Sequence, residues 1–426
     1  MKKVLIISYY WPPTGGSGVQ RWVKFTKYLR EFDWEPVIYT PENPEQLAVD
    51  ESVLEEIPAG VTVLKRHITE PYAIYHKFFG ASDKGAGVNP LNQQKKTFKQ
   101  RLVVGLRGNL FVPDPRAGWV GPSVRYLRKY LKENPVDAVV TTGPPHSMHL
   151  IGMRLKRLTG VRWIADFRDP WTEMHYFKHM GLLPWTAAEH RRMEQKVLES
   201  ADAVIAVSAP VRDDFQARTA TPVHLITNGF DECDFAAFPN PLPRNEFSLV
   251  HTGLFASDGN PLRLWDVLSG KCAADRSFKE QLRIRLAGKT DTEILEALRI
   301  RGLSDNVENL GYLPHNQTTA LQQSASVLLL PLRDEPEYAK ALPGKIFEYM
   351  AARRPVLGIG QEGGAAARML SETGSGVMYG WDKVEPLENY IQAAWEKHLA
   401  GEEEPLRGDV SQYSRRALTE KLSKVL

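Results

Sequence analysis

Lys345 and Glu348 stand three residues apart in the stretch ALPGKIFEYMAARRPVLGIG, residues 341–360. Pro343 and Gly344 close a loop, and the pattern after them predicts a helix that opens at Lys345. Residues three apart share one helix face. An ammonium at a helix N-terminus can hold a diphosphate. A carboxylate one turn further on can accept hydrogen bonds from the two hydroxyls of a ribose. A nucleoside diphosphate asks for both groups side by side. The competing reading is a surface ion pair, worth no more than about 1 kcal/mol.

Four further places carry residues that can do chemistry. PPTGGSGVQR (12–21) brings Gly15, Gly16 and Gly18 close together, so the backbone there can approach a ligand and the following helix can offer N–H groups to an anion. Arg21 stands where the dinucleotide fingerprint G-x-G-x-x-G needs its last glycine, which speaks against a standard NAD site. A plain tight turn is the alternative. DFRDPW (166–171) crowds Asp166, Arg168 and Asp169 at a strand end. Sugar or acceptor binding, or proton transfer, competes there with an internal Arg–Asp brace. D-x-x-D lacks a third ligand, so no metal site is expected. His146, in TTGPPHS, ends another strand and is either a proton acceptor or a structural hydrogen bonder. Gly311, Tyr312, Leu313 and Pro314 can meet a base through their backbone or form a simple β–α turn.

These loops need elements to hold them. Val4–Tyr9 is a continuous apolar run, as a parallel strand covered on both faces requires. A helix is predicted over 20–32, with Trp22, Phe25, Leu29 and Phe32 on one face, then a strand over 36–39. Strands over 136–141, 162–166, 203–207 and 223–226 alternate with helices over 149–158 and 187–199. After the proline-rich stretch FPNPLPRN (238–245), a natural linker, the alternation restarts. Strands are predicted over 247–252, 282–287, 307–310, 327–331 and 355–359, and helices over 261–268, 292–301, 320–324, 345–352, 387–399 and 414–425. Such alternation means an α/β protein with parallel sheets. Two doubly wound, Rossmann-like domains facing a cleft are expected: an N-terminal domain 1–240 with an insertion at about 66–118, a second domain 241–405, and a C-terminal helix within 406–426 packing back on the first. Ligands bind such sheets at the carboxyl ends of their strands.

Bulk properties exclude several classes. The 426 residues fit two domains rather than one core. A hydrophobic fraction of 42% and a charged fraction of 25% are those of a folded soluble protein. A net charge of +3 gives no reason to expect nucleic acid. Two distant cysteines, Cys233 and Cys272, build neither a disulfide framework nor a metal site and suit a reducing, cytoplasmic compartment. The start MKKVLIISYYW lacks the cleavage site of a signal peptide, and no apolar run is long enough to span a bilayer. Residues 66–118 break the rhythm and read as an insertion. Within it, KKTFKQRLVVGLRGNLF (95–111) can form a basic amphipathic helix, either docking peripherally on an anionic membrane surface or packing on its own domain.

Taken together, PPTGGSGVQR, ITNGFDECDF, NLGYLPHN and PLRDEPEYAKALPGKIFEYMAARRPVL resemble, in order, the motifs of GT-B glycosyltransferases, especially the retaining enzymes of glycosyltransferase family 4. The last resembles that family's donor motif, two glutamates with seven residues between them. The resemblance implies a nucleotide-sugar donor, a UDP- or GDP-sugar, bound mainly by the C-terminal domain. It also implies no required metal or other cofactor, and release of a nucleoside diphosphate with the anomeric configuration retained. In that frame Glu348 is the ribose ligand, Gly15 and Gly16 lie near the donor phosphates, and Tyr312 and Leu313 form the base-contacting turn. Lys345 faces phosphate, and Leu342, Gly344 and Gly253 complete the donor site. The sequence departs from the motif in three places: Lys340 replaces the first glutamate, HTGLFASDGNP lacks the usual Arg and Lys, and Arg168 stands where a histidine is common.

The expected activity is transfer of a sugar from a nucleotide donor to a glycan or lipid-linked acceptor in polysaccharide biosynthesis. Lys345, Glu348, Asp166, Arg168, Asp169 and His146 are the candidate catalytic residues. A nucleotide-sugar epimerase of the same shape, or a non-catalytic nucleotide-sugar or glycan-binding protein, is the alternative.

Overall fold

In a computed structural model the described residues are 1–15, 17–45, 49–70, 105, 108–174, 177, 180–235, 245–402, 406 and 408–426. Gly16, residues 95–104, 106 and 107 of the basic stretch, and residues 238–244 of the linker lie outside them. The chain divides into two compact units, Met1–Thr227 with Arg415–Leu426, and Asn228–Ser414.

The first unit is built on a parallel sheet of seven strands: β1 (Lys2–Ile7), β2 (Trp34–Pro41), β3 (Thr62–Arg66), β4 (Ala138–Gly143), β5 (Arg162–Phe167), β6 (Ala203–Ala206) and β7 (Val223–Leu225). Their order across the sheet is β3-β2-β1-β4-β5-β6-β7. Helices α1 (Ser17–Leu29), α2 (Ala117–Glu133), α3 (Ser147–Thr159), α4 (Pro184–Ser200) and α5 (Ala209–Arg218) connect them. Alternate side chains of one strand feed opposite cores. Leu5 and Ile7 pack with Trp119, Ile151 and Trp163, while Val4 and Ile6 pack with Trp22, Phe25 and Ile164. Burial on both faces is why β1 reads as an unbroken apolar run, each such side chain contributing roughly 1.5–3 kcal/mol.

The second unit repeats the plan with β8 (Phe247–Thr252), β9 (Leu282–Ala287), β10 (Val307–Gly311), β11 (Val327–Pro331), β12 (Val356–Ile359) and β13 (Gly376–Tyr379), ordered β10-β9-β8-β11-β12-β13. Its helices are α6 (Leu262–Ala274), α7 (Arg276–Gln281), α8 (Thr292–Ile300), α9 (His315–Gln323), α10 (Lys345–Ala351), α11 (Ala365–Glu372) and α12 (Val384–Ala400). The last helix, α13 (Arg415–Ser423), folds with the first unit. Its Leu418 and Leu422 join the core of Trp22 and Phe25, and Arg162 donates to the carbonyls of Val425 and Leu426, both at 2.9 Å.

Six elements carry no expectation from the sequence, the six-residue α7 among them. α2 contains Pro122 and two glycines, and only part of it is buried. β3 and β13 are partly exposed edge strands without a continuous apolar run. α5 carries Pro210 in its first turn, and α11 is an alanine-rich helix of eight residues after two glycines. α9 begins at His315, five residues ahead of its expected start, because its first turn is polar and exposed.

In each sheet the chain winds outward from one central strand and then restarts beside it, between β1 and β4 and between β8 and β11. These switch points leave a crevice beyond the strand ends, where ligands of open α/β sheets bind.

Candidate functional site

In the second unit the loops at the switch point follow β8 and β11. Ile346, Phe347, Tyr349 and Met350 of α10 are buried in the core, which fixes the rotation of the helix and turns Lys345 and Glu348 away from it, both half-buried. The Tyr349 hydroxyl accepts a hydrogen bond from the Thr252 amide at 2.9 Å and so pins α10 to the end of β8. From α9, the buried Gln322 donates to Thr252 Oγ1 at 3.0 Å and to Glu348 Oε2 at 3.1 Å. One carboxylate oxygen of Glu348 is thereby oriented.

Lys345 Nζ lies 3.2 Å from His251 Nε2 and 3.4 Å from the carbonyl of Leu254. His251 Nδ1 sits 3.0 Å from the carbonyl oxygen of Leu329. A carbonyl only accepts, and this contact is shorter than the 3.4 Å between Nε2 and the Leu254 carbonyl, so Nδ1 carries the ring proton and Nε2 accepts from the ammonium. Burial, and after it the Lys345 charge, hold His251 far below the usual histidine range, so the ring is neutral. Burial pulls Lys345 down to about 8 against the opposing pull of Glu348. The lysine therefore remains cationic at neutral pH. The surface ion pair that the spacing allows does not form, since each of the two side chains is bonded elsewhere. α10 has only seven residues, so the ammonium rather than the helix dipole is the main positive charge.

Around this pair three neighbouring strands end in glycines with positive φ: Gly253 (+92°), Gly288 (+114°) and Gly311 (+63°). Gly253 N donates to the Ala287 carbonyl at 2.7 Å and Gly288 N to that of Gly311 at 2.6 Å. A Cβ on Gly288 would run into the Gly253 backbone, and one on Gly253 would sit 3.5 Å from Lys345 Nζ. Tyr312, in the turn after β10, is 81% exposed, and Leu313 beside it is half-buried. Leu342 packs partly on the core that holds Phe347, and Gly344 faces open space. Sequence reasoning missed His251 and Gln322. Nothing in the spacing links positions 94 and 26 residues away to α10, and only the fold brings them there.

In the first unit Asp166 is the brace and its arginine is Arg21, which corrects the expectation of a pair with Arg168 and of a reactive carboxylate. Arg21 donates to Asp166 Oδ1 at 2.9 Å and Oδ2 at 3.2 Å, and to the carbonyls of Ile226 and Thr227. Trp22 Nε1 and Thr142 Oγ1 add bonds to Asp166 Oδ2 at 2.8 and 2.9 Å. With 0% exposure and its acceptors taken, Asp166 has no capacity left for a ligand. Arg168 instead ties the end of β5 to the first turn of α1 and to the loop after β4, its guanidinium donating to the carbonyls of Gly18 and Pro144. A Cβ at Gly18 would meet that guanidinium at 2.9 Å, which explains the glycine. Asp169 is half-buried, and burial, opposed by Arg168, pushes its carboxyl up to about 6. His146 is buried with its ring stacked on Trp171 (4.7 Å between centroids), and neither ring nitrogen has a hydrogen-bond partner among the described residues. Burial first, and the nearby His149, Arg168 and His190 after it, keep His146 neutral. Gly15 is half-buried after β1.

Among the described residues no group of three or more His, Cys, Asp or Glu side chains could hold a metal ion. Among them, too, no helix is long and apolar enough to cross a membrane.

Residues 16–232, just over half of the chain, match the family model described as Glycosyltransferase Family 4. The chain belongs to glycosyltransferase family 4. Residues 265–397 of this glycosyltransferase match a second model, Glycosyl transferases group 1. Solved structures agree in fold. A glycosyltransferase from Rickettsia africae ESF-5 is 13% identical with a TM-score of 0.63, over 100% of this chain and 97% of the other. HepE from Anabaena, solved with UDP-glucose, is 14% identical with a TM-score of 0.58, over 100% and 95%. WaaG, a glycosyltransferase of lipopolysaccharide biosynthesis, is 14% identical with a TM-score of 0.57, over 99% of both chains. Identities this low establish the fold alone, two Rossmann-like domains of the GT-B type. No curated protein matches the family 4 chain.

Proposed function

We propose that this glycosyltransferase takes a sugar from a nucleoside-diphosphate donor held by its second unit and passes it to a glycan or lipid-linked acceptor handled by its first. Lys345 is the ligand of the diphosphate and Glu348 that of the ribose diol, with the turn at Tyr312 and Leu313 beside the base. The observation that carries this reading is the state of Lys345. Its ammonium is backed by a neutral imidazole and a carbonyl, so its charge is not cancelled, and a carboxylate already oriented by Gln322 stands one helical turn away. The UDP-glucose complex of HepE, a protein of the same fold, supports a nucleotide-sugar donor of this kind.

The reaction breaks the bond between the anomeric carbon and the diphosphate oxygen, and the electron pair leaves with the oxygen. A new bond joins the acceptor oxygen to the same carbon, with configuration retained. Fixed positive groups must meet the charge that develops on the leaving diphosphate. Lys345 does so without a metal ion, and the amides of Gly15 and Gly16 are further candidates. The acceptor hydroxyl gives up its proton to a base, and Asp169, ionised above about 6, suits that role. Arg168 and His146 shape the ground around it. A cytoplasmic enzyme of surface-polysaccharide assembly, touching the membrane through 95–111, fits this chemistry.

A thermal-shift screen with UDP-, GDP-, ADP- and dTDP-sugars tests the reading. One nucleotide should raise the melting temperature of the wild type by several degrees, and Lys345→Ala and Glu348→Ala should each lose most of that gain. A wild type that no nucleotide sugar stabilises, or variants that respond as it does, would overturn it.

A further inference from the structure

His251 is 1% exposed and tilted against Phe255, with 4.3 Å between ring centroids. Buried histidines that only hold structure use their nitrogens on the backbone, and Nδ1 does so on Leu329. Nε2 is 3.4 Å from the Leu254 carbonyl but closer, at 3.2 Å, to the Lys345 ammonium. It turns its lone pair to the one lysine assigned to the donor, on a helix 94 residues further along the chain. We propose that His251 is a positioning residue that holds the Lys345 ammonium toward the donor diphosphate through a neutral hydrogen bond from Nζ to Nε2. This rests on the donor reading of Lys345.

The choice of an imidazole has a physical reason. A buried ammonium needs acceptors, or its desolvation drives off the proton. A carboxylate in that place would supply one but would also cancel the charge and compete with the incoming diphosphate. A neutral imidazole and the Leu254 carbonyl take two of the three N–H groups, leave the full positive charge, and keep one N–H for the ligand. Gly253 stands beside the lysine tip with φ at +92°, a backbone conformation that favours glycine and sets the course of the chain into Leu254. The titratable groups that act on Lys345 are His251 from β8 and Glu348 from its own helix.

Two substitutions separate holding the lysine from holding the fold. Asn at 251 can reach the Leu329 carbonyl in place of Nδ1 but falls short of Lys345, whereas Gln can reach the ammonium in place of Nε2. UDP and GDP are titrated calorimetrically against wild type, His251→Asn, His251→Gln and Lys345→Met between pH 6 and 10. For the nucleotide that binds, His251→Asn should weaken affinity about tenfold and move the alkaline loss of binding to lower pH by half a unit or more. His251→Gln should recover most of both. Equal affinity and the same pH profile in His251→Asn and wild type, with Lys345→Met impaired, sink the positioning role alone. Full affinity in Lys345→Met sinks the donor reading instead. A variant-free check uses nitrogen NMR of the wild-type imidazoles: His251 must show a protonated Nδ1 and an unprotonated Nε2, and the opposite tautomer overturns the proposal even where a variant does not fold.

Discussion

Each unit carries a cation near the end of its sheet, buried in the first and half-buried in the second, and the two are treated in opposite ways. In the first, Arg21 meets Asp166 with two bonds and two backbone carbonyls with the rest, while Asp166 also takes Trp22 and Thr142. Every charge there is answered by protein. In the second, Lys345 meets a neutral ring and one carbonyl, and the nearest carboxylate, Glu348, is tied to Gln322 instead. A charge that its own protein cancels holds the fold together, and one that its protein merely supports is left to act on something else. Burial and charge alone do not distinguish the two; the partners do.

The largest expected effect puts that contrast to a stability test. Asp166→Ala leaves the Arg21 guanidinium buried without its counter-charge, which costs about 3–5 kcal/mol, enough to lower the melting temperature by roughly 10 °C in a unit of this size. Lys345→Met removes an ammonium whose burial already works against its charge, so it should leave the melting temperature unchanged or raised, at the expense of donor binding. Calorimetry on the two variants decides. An Asp166→Ala protein that melts with the wild type, or a Lys345→Met protein that melts far below it, breaks the contrast.

The next effect is a difference in pH response. Burial is the main cause that holds His146, His149 and His190 of the first unit below the usual histidine range, His149 at about 3. In the unfolded chain the same groups take a proton near 6.5. The stability they allow is therefore present above about 6.5 and is lost as pH falls from there toward 3, by up to about 1.4 kcal/mol per histidine for each pH unit. Lys345 works in another window. Unfolded, it keeps its proton to about 10.5; folded, it gives it up near 8. Its burial penalty is thus full below 8 and fades between 8 and 10.5. Melting temperatures across pH should fall on the acid side through these histidines and through His251 of the second unit, which burial depresses in the same way, with no alkaline loss traceable to Lys345. Acid stability unchanged by His149→Phe would remove the histidines from this account.

The sequence made the scaffold plain and the partners obscure. Strands buried on both faces announce themselves as apolar runs, so β1, β4, β8 and β11 were legible, whereas the exposed edges β3 and β13 were not. Lys345 and Glu348 were legible because a helix puts residues three apart on one face. His251, Gln322 and the Arg21–Asp166 pair were not, since each depends on chain crossings over tens to hundreds of residues that periodicity does not encode. Arg21 showed only as a departure from a glycine fingerprint, and the fold supplies its reason.

The smallest expected effect probes the ground under the lysine. Gly253 holds φ at +92°, where a side chain is strained, although a Cβ there would meet Lys345 Nζ at an ordinary contact distance of 3.5 Å. Gly253→Ala should therefore cost about 1–2 kcal/mol through backbone strain and not through a clash. The residue that follows is Leu254, whose carbonyl is the second acceptor of Lys345. If the turn relaxes to relieve the strain, that carbonyl moves and the ammonium loses part of its support. Affinity for the nucleoside diphosphate should then drop severalfold, alongside a melting temperature a few degrees lower. A loss of stability with binding intact would mean that His251 alone suffices to hold the lysine. The unspent charge of the second unit would then depend on one neutral partner, in contrast to the shared, redundant bracing of Asp166 in the first.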